Sequence, residues 1–109
     1  MEGNSTMEKQ ITKFGSLEPL LIRDGKIVTE LATFHSNGRS HKHDQWEVCY
    51  VLSGKGSIHI DQEEDFYIVE KGSVVEIPPN TGHWMELDHG DKMEILLVYS
   101  DNPSPIQEV

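Results

Sequence analysis

The chain is a succession of short apolar runs, rich in β-branched and aromatic residues, each closed within a few positions by a turn signal. Residues 17–23 and 26–34 flank Asp24-Gly25, a strong two-residue hairpin signal because such a turn needs positive φ at both positions. Residues 47–53 (EVCYVLS) are strongly strand-forming and stop at Gly54-Lys55-Gly56. Residues 57–61, 66–70, 73–77, 82–87 and 93–100 bring the expected strands to about eight. Residues 61–65, Lys71-Gly72, Pro78-Pro79 and residues 88–91 punctuate them. No window sustains an apolar period of 3.6, so helix is minor at most. Many short strands at this spacing predict an all-β sandwich or barrel, with a barrel-like jelly roll favoured.

A chain of 109 residues suits one domain. Residues 1–12 are polar and aperiodic and read as a flexible N-terminal segment, 13–101 as the barrel, and 102–109, with two prolines, as a C-terminal tail. Nine basic against nineteen acidic residues leave a formal charge of −10, with no run of Lys or Arg. That balance argues against nucleic acid and against anionic membrane surfaces as partners. Cys49 is the single cysteine, so an internal disulfide and a thiolate metal cluster are both excluded. Residues 1–10 lack the apolar core of a signal peptide, and no stretch approaches the roughly 20 apolar residues of a membrane span. A cytoplasmic protein is the expectation.

The chemistry concentrates in His41-Lys42-His43. On a strand, that spacing puts both imidazoles on one face, roughly 6.6 Å apart along the chain. Leaning together, they can meet one ion at about 2.0–2.1 Å from each nitrogen. On a straight strand Glu47 would lie roughly 13 Å beyond His43, too far to share that ion. Asp44-Gln45 offers a turn, after which Glu47 would open the next strand and face back. His83 lies forty positions beyond His43, and spacing alone does not bring it to the others.

Here a family resemblance enters. His41-x-His43-x₃-Glu47-x₆-Gly54 resembles the first motif of the cupins, whose two halves form neighbouring strands joined by a turn. Gly72-x₅-Pro78-x₄-His83 resembles the second, and Gly54 and Gly72 stand eighteen positions apart, a separation typical of the smallest members. The resemblance implies a double-stranded β-helix holding one divalent ion through His41, His43, Glu47 and His83. Three positions depart from the pattern. His35 stands where the leading glycine of the first motif is expected, Asn80 replaces a glycine after the proline, and Leu87 replaces an asparagine after the last histidine. Asn is the next-best residue for a left-handed turn, so the second departure costs little.

Three imidazoles and one carboxylate around a divalent ion suit Fe, Mn, Ni, Zn or Cu without choosing among them. An octahedral ion would keep two open positions, enough for a bidentate substrate or for substrate plus dioxygen. The resemblance implies the same range: dioxygenases, isomerases, lyases and cyclases acting on small molecules. A metal-dependent enzyme for a small polar molecule, an oxygenase first, is the expectation; the alternative is a cupin that binds or senses a small ligand without turnover. No general base is identified, though Tyr50, Tyr67 and Tyr99 are candidates.

Alternation from Glu47 turns Cys49 and Val51 inward and Val48, Tyr50 and Leu52 outward. Both faces of that strand are thus apolar, which predicts cover by the N-terminal segment or by a second subunit in a homodimer. Cys49 reads first as a small apolar filler. Trp84 should face away from His83, in core or interface, and His35, His59 and His89 read as surface residues.

Overall fold

The computed structural model describes residues 8–61, 64, 66–88 and 90–101. Within them nine strands form: β1 (Gln10–Ile11), β2 (Gly15–Arg23), β3 (Lys26–Phe34), β4 (Trp46–Ser53), β5 (Lys55–Ile60), β6 (Phe66–Glu70), β7 (Val74–Ile77), β8 (His83–Leu87) and β9 (Met93–Ser100). All pairings are antiparallel. A six-stranded sheet runs β1-β2-β3-β9-β4-β7 and faces a three-stranded sheet, β6-β5-β8, giving the expected all-β jelly roll. No described helix is long and apolar enough to cross a membrane.

Turn chemistry explains the main reversals. Asp24 and Gly25 join β2 to β3 with φ of 54° and 77°, the two positive values that a type I′ hairpin requires. The β2–β3 register slips between Pro19 and Leu21, beside a residue with no N–H for the ladder. Gly54 turns the chain from one sheet to the other at φ +88°, and a Cβ there would lie 2.0 Å from the carbonyl oxygen of Lys92. Asn80 adopts φ 58°, so the asparagine does occupy a left-handed position where the family pattern has glycine.

Alternation then sorts the side chains. Ala32, Phe34, Cys49, Val51, Val75, Ile77, Ile95 and Leu97 from the large sheet meet Ile58, Ile60, Val69 and Met85 from the small one. Each of the larger aliphatic side chains contributes roughly 1.5–3 kcal/mol on full burial. The inward row of β4 reads Val51, Cys49, Glu47; opposite it on β9 stand Ile95, Leu97 and Tyr99. The inner wall is therefore apolar toward one end of the barrel and polar toward the other, where the candidate site lies.

β1 pairs with β2 at the edge of the large sheet. One expectation changes. His41 and His43 do not share a strand: His41 makes one isolated antiparallel bridge to His83, and residues 42–45 are irregular. The local reason is that the Asn80 N–H takes the carbonyl of His43 at 2.6 Å, where a continuing strand would have paired regularly.

Gly54→Ala should lower the free energy of unfolding by at least about 2 kcal/mol, because positive φ and a backbone clash act together. Chemical denaturation of both proteins measures this. A loss below about 0.5 kcal/mol, the range of ordinary surface substitutions, would contradict the assigned corner geometry.

Candidate metal centre

Segment 37–43 lies along the open edge of β8. The Gly38 N–H donates to Met85 O at 2.8 Å, and His41 and His83 exchange a pair of backbone hydrogen bonds, each 3.0 Å. The Leu87 N–H donates to the Asn37 side-chain oxygen at 2.9 Å. This pairing brings the second-motif histidine to the first-motif pair, with His41 and His83 ring centroids 4.3 Å apart. Ser40 adds a hydroxyl hydrogen bond to Asp61 at the end of β5.

His41, His43, Glu47 and His83 converge so that one ligand-capable atom from each lies within 4.8 Å of the others. Ligands at about 2.0–2.2 Å from a common ion lie at most roughly 4.4 Å apart, so contraction by a few tenths of an ångström would close the set. All three imidazoles are oriented by the same device. The Nδ1 of His41 lies 3.0 Å from Arg39 O, that of His43 3.2 Å from Gln45 O, and that of His83 2.9 Å from Thr81 O. A carbonyl only accepts, so Nδ1 carries a proton in each ring and a neutral ring turns the Nε2 lone pair toward the cluster; His43, in its contact with the Glu47 carboxylate, carries a second proton on Nε2 that an ion would displace. The fourth group, Glu47, is fully buried, as is His83, whereas His41 is exposed and His43 half-buried.

The His83 Nε2 is buried without a hydrogen-bond partner. It stands 3.3 Å from Glu47 Oε1, out of line for a hydrogen bond. A buried imidazole nitrogen aimed at a carboxylate and two further nitrogens is the donor set of a divalent ion, and the four residues fit one.

Glu47 holds the electrostatics together. Its Oε1 accepts from His43 Nε2 at 2.6 Å and its Oε2 from the Cys49 thiol at 3.2 Å. Burial pushes its carboxyl up, but the His43 hydrogen bond and the adjacent His83 ring outweigh this and hold it well below the usual carboxylate range. The Glu47 hydrogen bond raises the His43 imidazole above its ordinary 6.5, against the opposing effect of burial. Burial, then the Glu47 charge, raises the Cys49 thiol, which keeps it a donor. Cys49 is thus both a packed core residue and the partner of a candidate ligand.

Beside the cluster opens a cavity of about 280 Å³, with walls that include Phe14, Leu17, Phe34, Met85 and Leu97. Ligand pockets typically measure ~300–1,000 Å³, so this one suits a small molecule. Of the three candidate tyrosines, Tyr99 lines the cavity, with its ring edge-on to His43 at 5.3 Å. Its hydroxyl donates to Glu30 Oε2 at 2.5 Å. Burial first, then the Glu47 and Glu30 charges, push that hydroxyl far above its ordinary pKa. Tyr50 turns outward on β4, and Tyr67 is exposed on β6. Glu30 and Arg39 also line the cavity and were not singled out from sequence. For Glu30 a signal existed: it shares the inward parity of Ala32 and Phe34 on β3.

Elsewhere, Trp84 does face away from His83. It stacks on His59 at 4.1 Å, and His59 meets Phe66 on its other side at 4.9 Å. His59 is consequently half-buried, with Nε2 2.8 Å from Glu86 Oε1, where a surface residue was expected. His35 is exposed, and His89 lies outside the described residues.

The chain belongs to the cupin family, whose domain matches residues 28–99. An uncharacterised protein of Methanocaldococcus jannaschii is 29% identical over 99 residues, covering 74% of this chain and 78% of that one. An acireductone dioxygenase of Leptospira biflexa is 36% identical over 64 residues, covering 57% of this chain and 36% of that one. The chain thus spans about a third of the length of that dioxygenase. Among solved structures, the polyketide cyclase RemF from Streptomyces resistomycificus matches with a TM-score of 0.73 at 16% identity, over 100% of this chain and 84% of that one. At that identity the likeness is one of fold.

Chelator-treated protein should show a two-sided pH dependence. Glu47 sits below its ordinary 4.5, so its contribution to stability is full above that value and is lost as pH falls through the lowered folded-state pKa. His43 sits above 6.5, so its contribution is full below that value and is lost as pH rises through the raised one. The thermal midpoint should therefore peak between pH 4.5 and 6.5 and decline on the alkaline side. Glu47→Gln should flatten the alkaline decline; the same decline in the variant would show that the pair does not cause it.

Proposed function

We propose that the protein is a metal-dependent enzyme acting on a small polar molecule, with dioxygen-dependent oxidation as its reaction. His41, His43, Glu47 and His83 hold the ion in this reading. The observation that carries it is the convergence of their four ligand-capable atoms within 4.8 Å, with the buried His83 Nε2 left without a partner. Similarity to acireductone dioxygenases supports the reaction class. When bound, a redox-active ion such as Fe would supply oxygen activation, and a Zn-like ion would supply polarisation of a carbonyl. The chain's own residues do the rest. The apolar walls exclude water around a small ligand, and Arg39 offers a guanidinium that has no ion-pair partner among the described residues. That charge suits an anionic group on the substrate.

We also propose a homodimer through the outer face of the large sheet. Leu31, Leu96, Val98 and Tyr50 lie half-buried on that face around the fully buried Val48, and Leu52 and Val74 are 46% and 49% exposed. An apolar sheet face of this kind is covered in a stable protein.

Metal-replete protein should retain about one transition-metal ion per chain, and His83→Ala should lose it. Elemental analysis reads both; no retained ion and no thermal shift with Fe, Mn, Ni, Cu or Zn would sink the metal centre. The Fe-loaded protein should consume oxygen only when one of a panel of small diketones, hydroxyketones, phenols or sugar acids is added. Product formed equally without air would replace the oxygenase by an isomerase, lyase or cyclase. Thermal stabilisation without product, with every metal, would make the protein a ligand-binding cupin.

Sedimentation should report a dimer for the wild type and a folded monomer for the Leu52→Glu, Val74→Glu double variant. A wild-type monomer would overturn the interface.

A further inference from the structure

The cavity wall contains a carboxylate that the metal centre does not use. Glu30 is 8% exposed and points inward from β3, on the parity of Ala32 and Phe34. Burying a carboxylate costs several kcal/mol unless it is paired. Its hydrogen bond comes from the Tyr99 hydroxyl, and among the described residues it has no cationic partner. An apolar side chain would pack this wall at less cost, and at the same inward parity two positions further along β3 Ala32 does so. The pair meets across a strand boundary. Glu30 is in register with Leu97, so Tyr99 is its diagonal neighbour on β9.

The other polar groups of the cavity are already engaged. Both oxygens of Glu47 accept hydrogen bonds, from His43 and from Cys49. The three imidazole Nδ1 atoms are committed to carbonyls. Arg39 is a donor only. The Tyr99 hydroxyl donates to Glu30 Oε2. Glu30 Oε1 has no donor among the described residues: Tyr99 occupies Oε2 and fixes the side chain, and the edge-on contact of Tyr99 with His43 sets the pair beside the cluster.

We propose that Glu30 is the catalytic proton acceptor of the cavity, that Tyr99 is its positioning residue, and that the substrate is a small carbon or oxygen acid flanked by chelating oxygens, of the diketone or hydroxyketone class. The inference rests on the reading of the four-residue cluster as a metal centre. In the step, a substrate C–H bond adjacent to a carbonyl breaks and its proton passes to Glu30 Oε1, giving the neutral acid. The electron pair moves onto the substrate's carbonyl oxygen as an enolate. Tyr99 keeps its proton throughout, and no oxidant is needed. Return of the proton to a different carbon would complete an isomerisation, and reaction of the enolate with dioxygen would begin an oxygenation.

The test uses the Zn-loaded protein, because Zn has no redox chemistry and leaves binding and proton transfer as the events observed. The probe is 2,4-pentanedione, whose enolate is recognised by its ultraviolet absorption. The rate at which that absorption appears after mixing the diketone form with protein reads the proton transfer. Wild type should form the enolate at least about a hundredfold faster than Glu30→Gln, which removes the proton acceptor. Glu30→Met, which replaces the acceptor by an apolar side chain of similar length, should be as slow and serves if the glutamine variant does not fold. Tyr99→Phe keeps the carboxylate and should fall between the two. Equal rates in wild type and both Glu30 variants, with the enolate bound in each, would overturn the proposal. Retained Zn with no probe bound would overturn the substrate class and the proposal with it, while leaving the metal centre standing. A wild type that retains no Zn would instead defeat the metal centre itself.

Discussion

A carboxylate with no solvent exposure stands at the centre of this molecule, and the surrounding structure is arranged to keep it there. Glu47 occupies the inner face of β4, where ions cost several kcal/mol to desolvate. The offsetting groups come from three directions: His43 from an irregular segment, Cys49 from the same strand two positions on, and His83 from the opposite sheet. Satisfying one side chain therefore ties the two sheets together at the polar end of the barrel, as the apolar core does at the other.

Much of this architecture is legible in the sequence because its determinants are local. β3, β6 and β9 run over 26–34, 66–70 and 93–100, as their alternation and bounding turns predict, and Asp24-Gly25 makes the expected hairpin. His41, His43 and Glu47 declare themselves by spacing. His83 does not, since its approach depends on backbone pairing between segment 37–43 and the edge of β8, which no local pattern encodes; only resemblance to a family supplied it. The same non-locality explains the departures. His43 leaves the strand because Asn80 captures its carbonyl, and His59 is sheltered because Trp84 and Phe66 arrive from flanking strands. Glu30 went unnoticed because a lone acid in a strand reads as an outward residue until its parity is compared with Ala32 and Phe34.

The cupin barrel defines where chemistry takes place without defining which chemistry. Proteins named as an acireductone dioxygenase and as a polyketide cyclase share sequence or fold with this chain. What distinguishes one barrel from another is the wall around the centre, where side chains vary while the strands persist. Here that wall is apolar with three polar insertions outside the cluster, Glu30, Arg39 and Tyr99.

The wide separation of His83 from the other three residues has a consequence for assembly. An unfolded or nascent chain already carries His41-x-His43-x₃-Glu47 as a compact local chelator, long before β8 can pair with segment 37–43. Bare imidazole and carboxylate groups favour copper over the other first-row divalent ions. If these residues hold an ion as proposed, the identity of that ion is decided by timing as well as by affinity: a chain that folds first presents a pre-shaped four-donor cage, and one that meets metal first is captured by whichever ion its three flexible donors bind most tightly.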